Sequence, residues 1–320
     1  MTVRPTPAGP GRVRIGTRNS PMALAQADRV RALLTGRYRG LGVSVVSMAT
    51  SGDRWHGDLA DLGGKGAFTT EVDHALLDGR VDLVVHCVKD IPGDQPAPAG
   101  TVAAAYLPRD DVRDCLVHPE HTRLDQLPAG TRIGTCAVRR VAQLALHWPH
   151  LVPVPIRGNA NTRLAKLDAR GEYDALLLAV AGLHRIGQGE RITEPIDTRT
   201  MVPAVGSGTL VLRCRDDDPA VHDLAASLDD PTARQETVAE RTMLQLLHGT
   251  CRSPIAGHAR TETGGRISLH GRVLTSGGST VLDAHDTATD PVALGTSVAE
   301  ALLRQGARDI LTPPDRPSAR

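Results

Sequence analysis

The chain has 320 residues, 40% apolar, which is too long for one core and apolar enough for two or three; with only 2% aromatic residues those cores must be built from Leu, Val, Ile and Ala. A net charge of +1, from 37 basic and 36 acidic side chains, argues against a general nucleic-acid binder, which carries a basic excess. The five cysteines (Cys87, Cys115, Cys136, Cys214 and Cys251) form no CxxC pair and are odd in number, so a disulfide framework is not expected and a reducing cytoplasm is.

Residues 1–11 read as a frayed tail, rich in Pro and Gly and without an apolar export segment. No stretch reaches the ~18 apolar residues of a membrane span, so no membrane partner is expected. Residues 13–17 form a short strand. Asn19 or Ser20 caps a helix that runs to about Tyr38, with Pro21 in the first turn, where its missing N–H costs nothing. Residues 43–49 are the next strand. Residues 51–66 are a glycine-rich loop without a period, long enough to be a lid or a binding loop. A helix over 68–77 ends at Gly79. The β-branched run 81–85 reads as a buried parallel strand. It feeds straight into His86-Cys87-Val88-Lys89-Asp90-Ile91-Pro92. Open α/β sheets bind ligands beyond the carboxyl ends of their strands, which places Asp90 where chemistry is done.

The chain then partly repeats itself. Arg14-Ile15-Gly16-Thr17 recurs as Arg132-Ile133-Gly134-Thr135, and Gly79-Arg80-Val81-Asp82 is matched by Gly171-Glu172-Tyr173-Asp174, each before an apolar run. Their common order predicts two related α/β domains. Between the copies, residues 97–114 hold a strand over 101–106 and a crossover. Residues 210–214 form a strand suited to a second crossover back to the first domain. Asp216-Asp217-Asp218-Pro219 opens a helix. From 231 the character changes: a helix to 247, strands near 255–260, 266–274 and 279–285, and a helix over 291–305. That is a small α+β domain, followed by a tail over 312–320.

Arg18, Arg139, Arg140, Arg157, Arg163 and Arg185 cluster where strands end and helices begin. Helix starts offer free N–H groups, and guanidinium offers a bidentate fork for carboxylate or phosphate. Cations there are unfavourable for the helix itself, so the set points to an anionic ligand. Lys65, in Gly63-Gly64-Lys65-Gly66, lacks the spacing of a nucleotide phosphate loop. Arg252 next to Cys251 favours thiolate, although a structural cysteine is the simpler reading of Cys251 alone. His248 and Cys251 have no second pair to complete a metal site, so no metal is expected.

Ile15-Gly16-Thr17-Arg18-Asn19-Ser20-Pro21-Met22-Ala23-Leu24 resembles the opening signature of the hydroxymethylbilane synthase, or porphobilinogen deaminase, family. Gly63 to Phe68, His86 to Pro92, Val138-Arg139-Arg140, Arg157 to Arg163, Leu178 to Arg185, Pro203 to Gly206 and the Cys251 turn resemble its further motifs, in order. The resemblance implies two lobes similar to periplasmic-binding-protein lobes plus a small α+β C-terminal domain. The boundaries expected are 12–108 with 209–228, then 109–208, then 229–312. It implies a transferase that adds four porphobilinogen units head to tail, with loss of ammonia, onto a dipyrromethane cofactor joined by thioether to Cys251. Hydrolysis then frees the linear tetrapyrrole. Asp90 matches the catalytic aspartate. Arg18, Ser20, Lys65, Lys89, Thr135, Arg139, Arg140, Arg157, Gly158, Asn159, Arg163 and Arg185 match positions that hold cofactor and substrate. A monomer in the cytoplasm is implied. The chain departs from the family's usual residues at Cys87, Cys136, Ala137, Ser207 and Thr250, with hydroxyl donors lost at Cys87 and Ala137. The other reading of such lobes is a non-catalytic binding protein for a small dicarboxylate or pyrrole, which would need neither Asp90 nor Cys251.

Overall fold

The computed structural model describes residues 11–55, 66–250 and 252–311. Nearly all of the expected tails, most of the glycine-rich loop with Lys65, and Cys251 itself lie outside the described residues. The first lobe contains β1 (Arg12–Arg18), α1 (Pro21–Arg37), β2 (Gly42–Met48), α2 (Ser51–Arg54), α3 (Thr70–Leu77), β3 (Leu83–Cys87) and β4 (Thr101–Tyr106). The second contains β5 (Asp114–Val117), β6 (Arg132–Gly134), α4 (Val138–His147), β7 (Val152–Val154), α5 (Ala160–Asp168), β8 (Ala175–Ala179), α6 (Val180–Arg185) and β9 (Glu194–Pro195). The chain then returns to the first lobe with β10 (Leu210–Arg215) and α7 (Pro219–Ala226). It ends in α8 (Pro231–Leu246), β11 (Ile255–Thr261), β12 (Ile267–Leu274), β13 (Val281–Ala288), α9 (Pro291–Arg304) and α10 (Ala307–Leu311).

The two large sheets have one design. Their orders are β2-β1-β3-β10-β4 and β7-β6-β8-β5-β9. In each, three parallel strands are followed by a strand running the other way, which has arrived from the opposite lobe. Residues 210–215 thus form β10 between β3 and β4 of the first sheet.

The sequence repeat is the repeat of one ion pair. Arg14 donates to Asp82 from its backbone N at 2.8 Å and from Nη2 at 2.7 Å, and it also reaches the Gly79 carbonyl. Arg132 donates to Asp174 from its backbone N at 2.7 Å and from Nη2 at 2.8 Å, and reaches the Gly171 carbonyl. Both glycines of the repeated strands are needed for close packing. A Cβ on Gly16 would stand 2.8 Å from Val81 Cγ2, and one on Gly134 would stand 2.6 Å from Leu176 Cδ2.

β3 begins two residues later than the apolar run suggests, so His86 and Cys87 belong to the strand. Burial of a histidine in a central strand requires a partner. Asp73 of α3 provides it at 2.9 Å from His86 Nε2, and Arg213 of β10 donates to the same carboxylate at 3.1 Å. Burial pushes the Asp73 carboxyl up, but His86 and Arg213 outweigh it and hold it below its ordinary value.

The third unit matches the expected helix, three strands and helix, with α10 added. Its core joins Met243 of α8, Leu294, Val298 and Leu302 of α9, and Ile255, Leu269 and Val273 of the sheet. The opposite face carries Arg272, which donates to Gln143 of α4 at 3.3 Å and to the Thr200 carbonyl at 3.2 Å. Arg109, on the first crossover, donates to Glu240 of α8 at 2.8 Å and to the Ser207 carbonyl on the second crossover at 2.9 Å. Among the described residues no helix is long and apolar enough to cross a membrane.

Candidate functional site

The carboxyl ends of the two sheets meet. Arg185, closing α6 of the second lobe, donates Nη1 to Cys87 Sγ, at the end of β3 of the first, at 3.8 Å. Met22 of α1 abuts Gly182 of α6, with its Cε 3.0 Å from where a glycine Cβ would be. Arg185 also donates to Asp110 at 2.7 Å, and Asp110 accepts from Arg29 of α1 at 2.9 Å. One carboxylate on the crossover thus ties a helix of each lobe.

At the end of β3 a single helical turn, Val88–Asp90, presents Lys89 and Asp90, both half-buried. Among the described residues no hydrogen bond or ion pair takes up the Asp90 carboxylate. The turn is clamped from behind. Val88 N–H donates to the Thr209 carbonyl at 3.1 Å. Gly206 is left-handed (φ 74°), and a Cβ there would stand 2.4 Å from Val88 Cγ1 and 3.0 Å from Lys89 N. Its N–H donates to Glu240 at 2.6 Å. Gly206→Ala combines positive-φ strain with overlap, so a loss of about 1–3 kcal/mol is expected in urea unfolding, together with reduced turnover from a displaced turn. Unchanged stability and turnover would show that the clamp has slack.

The chain beyond Asp90 rests on the third unit. Arg241 of α8 donates to the carbonyls of Ile91 at 3.2 Å and Pro92 at 2.8 Å. Gly93 packs against the Gly249 carbonyl and Leu244, where a Cβ would come within 2.6 Å and 2.5 Å. The turn that leads to position 251 is thereby seated on the residues that follow Asp90. Around it the Thr250 hydroxyl accepts from Arg252 N–H at 3.2 Å, and Thr250 N–H donates to Ser253 Oγ at 3.0 Å. The departure at Thr250 therefore supplies a hydroxyl that braces this turn.

Arg18 ends β1, pairs with Asp53 of α2 and lies 4.3 Å over the Phe68 ring. Burial pushes Asp53 up, but Arg18 and Thr50 outweigh it and hold it low. Ser20 caps α1, accepting from Ala23 N–H at 3.3 Å. Asn159 likewise caps α5, accepting from Thr162 N–H at 3.0 Å, behind left-handed Gly158 (φ 109°).

The second lobe concentrates positive charge. α4 starts at Ala137 with no capping side chain; buried Thr135 precedes it. Arg139 and Arg140 are both buried and share one partner, Asp114 of β5, at 2.6 Å and 2.7 Å. Burial pushes Asp114 up, but the two guanidinium groups hold it well below the carboxylate range. Two cations facing one carboxylate leave an excess positive charge in low dielectric. Arg140 Nε is buried without a partner among the described residues. Burial lowers the basicity of half-buried Arg163, and so do the like charges of Arg140 and Arg157; its Nε donates to the Gly158 carbonyl at 2.8 Å. Asp53, Asp110 and Asp114 are partners that the arginine pattern did not reveal. Asp110 and Asp114 both lie in the charged run Arg109-Asp110-Asp111-Val112-Arg113-Asp114 of the crossover.

Among the described cysteines, burial raises the thiols of Cys87, Cys115 (to about 12) and Cys214 (to about 11), so they stay protonated. Cys136 Sγ donates to the Ile156 carbonyl at 2.8 Å.

Two α/β lobes whose strand ends meet, one presenting Asp90 without a partner among the described residues and the other two buried arginines on one carboxylate, define a two-lobe α/β protein. Residues 13–223 match the family model described as porphobilinogen deaminase, dipyromethane cofactor binding domain, and residues 234–304 match that of the porphobilinogen deaminase C-terminal domain. The chain is 57% identical over 306 residues to porphobilinogen deaminase 2 of Streptomyces coelicolor, covering 95% of this chain and 97% of that protein. It is 45% identical over 303 residues to porphobilinogen deaminase of Acidithiobacillus ferrooxidans, covering 94% and 98%. Among solved structures it is similar to the methionine binding protein MetQ, with TM-score 0.44 and 13% identity over 70% of this chain and 93% of that one. The chain belongs to the porphobilinogen deaminase family.

Proposed function

We propose that the chain condenses four porphobilinogen units head to tail on a dipyrromethane bound to Cys251, releasing ammonia at each addition and, by hydrolysis, a linear tetrapyrrole. The dipyrromethane carries acetate and propionate groups, and the second lobe fits such a group. Arg140 Nε has no partner among the described residues, two buried guanidinium groups share one carboxylate, and α4 starts without a capping side chain, all of which favour an anion there. When bound, the cofactor supplies a tethered nucleophilic pyrrole, so that each addition is effectively intramolecular.

In this reading Arg139, Arg140, Arg157 and Arg163 hold ligand carboxylates, with Thr135, Gly158 and Asn159 shaping the helix starts that receive them. Arg18, Ser20, Lys65 and Lys89 bind from the facing lobe, and Arg185 from the end of α6 where the two lobes meet. Asp90 Oδ faces the positive charge that develops on the pyrrole as ammonia leaves, and takes or gives the proton at the amine. The segments 12–108 with 209–228, 109–208 and 229–312 act as the three units of a cytoplasmic monomer. The observation that carries the proposal is the packing of Gly93, three residues after Asp90, against the Gly249 carbonyl, two residues before position 251, with Arg241 of α8 holding the Ile91 and Pro92 carbonyls. This packing supports the reading in which the anchoring turn lies close to Asp90.

The test uses the purified full chain. Its intact mass is expected to exceed the sequence mass by one dipyrromethane, and incubation with porphobilinogen is expected to give uroporphyrin absorbance after acid oxidation. An unmodified mass with no porphyrin formed would overturn the proposal.

A further inference from the structure

We infer that the outer face of the β11–β12–β13 sheet carries a transition-metal site formed by His270, Asp283 and His285, of a kind suited to zinc. Register alone brings the three together. His270 of β12 lies directly opposite His285 of β13, and side chains of such a pair are about 4.5–5.5 Å apart at Cβ. Asp283 precedes His285 by two residues and so stands on the same face. A cross-strand pair with a same-strand neighbour two residues away places three donors around one point above the sheet. One ligand atom from each residue lies within 4.8 Å of the other two.

The donor chemistry fits. Two imidazole nitrogens and a carboxylate oxygen form a set that zinc binds at about 2.0–2.2 Å, with water completing the shell. The two imidazoles are stacked, 3.9 Å between centroids and 23° between planes.

An outer ring of contacts orients the carboxylate. Arg272 donates Nε to Asp283 Oδ1 at 2.8 Å and Nη2 to Oδ2 at 3.0 Å, and is itself held by Gln143 and the Thr200 carbonyl of the second lobe. Each carboxylate oxygen has a second lone pair beyond the one Arg272 takes. On Oδ1 that lone pair now faces His270 Nε2 at 2.7 Å, a contact that the metal replaces. A purely structural network accounts for His270, Asp283 and Arg272. It gives no role to His285, an exposed ring stacked on the same face. The site is independent of the condensation chemistry, and none of its residues is assigned there.

The test is equilibrium dialysis of the full chain against zinc chloride, with bound metal counted by elemental analysis. The comparison is with His285→Ala, which removes an exposed ring, and with Asp283→Asn. Wild type is expected to bind one zinc per chain more than either variant, or to bind it at least about tenfold more tightly. Zinc should raise the thermal midpoint of wild type and not that of His285→Ala. Condensation activity of His285→Ala without zinc should equal wild type. Equal zinc stoichiometry and affinity in wild type and His285→Ala, or no zinc bound by wild type, overturns the inference.

Discussion

Asp90→Ala is expected to lower the turnover of porphobilinogen about a thousandfold while leaving both the fold and the covalent dipyrromethane in place. The magnitude follows from where the carboxylate is. It stands half-buried beyond the end of β3, and no partner among the described residues shares its charge. A unit positive charge about 4 Å away, at an effective dielectric of about 20, is stabilised by about 4 kcal/mol, and that corresponds to roughly three powers of ten in rate. The same lack of partners means that its removal breaks no network, so stability should change by no more than about 0.5 kcal/mol. Asp90→Glu keeps the charge but shifts it by a methylene, and should recover part of the rate. Single-turnover assays, intact mass and circular dichroism read the three quantities separately. Cys251→Ser should lose the added mass as well as the rate, so the two roles can be told apart. Near-native turnover by Asp90→Ala would remove the aspartate from the chemistry.

Much of this architecture was legible because it is local or repeated. The pairs Arg14–Asp82 and Arg132–Asp174 occupy equivalent positions in the two lobes, and their flanking residues are what made the repeat visible. Ser20 and Asn159 cap helices for the reason their residue types suggest. The third unit's alternation of strands and helices survives nearly unchanged. What was not legible depends on distant partners. β5 is four residues, all buried, between strands that arrive from elsewhere in the sequence, so it shows neither alternation nor length. His86 reads as the start of a loop until Asp73 and Arg213 are known to satisfy it within the strand. The arginines were recognised as a set, but Asp53, Asp110 and Asp114 are remote from most of them in sequence. Pattern alone could not separate guanidinium groups already paired from the surplus left for a ligand.

That surplus has a consequence for stability, and it is largest at Asp114. Asp114→Asn is expected to destabilise the protein by about 3–5 kcal/mol, the usual cost of removing one partner from a buried charge network. Here the variant strands two guanidinium groups rather than one. Arg139 retains the Val202 carbonyl at 2.7 Å and Arg140 the Leu177 carbonyl at 2.9 Å, and neither acceptor carries a full charge. The pH dependence has a definite sign. The folded-state pKa of Asp114 lies far below its ordinary value of 3.8, so its contribution is fully present above about pH 4. It is lost only as the pH falls through the folded value. Wild type and variant should therefore differ by a constant amount from pH 5 to 8 and converge only in stronger acid. Urea midpoints across that range give the measurement. Because the stranded cations need any anion, sulfate should restore more stability to the variant than to wild type. A variant as stable as wild type at pH 7 would mean that Arg139 and Arg140 are compensated elsewhere, and the charge surplus assigned to the second lobe would not exist.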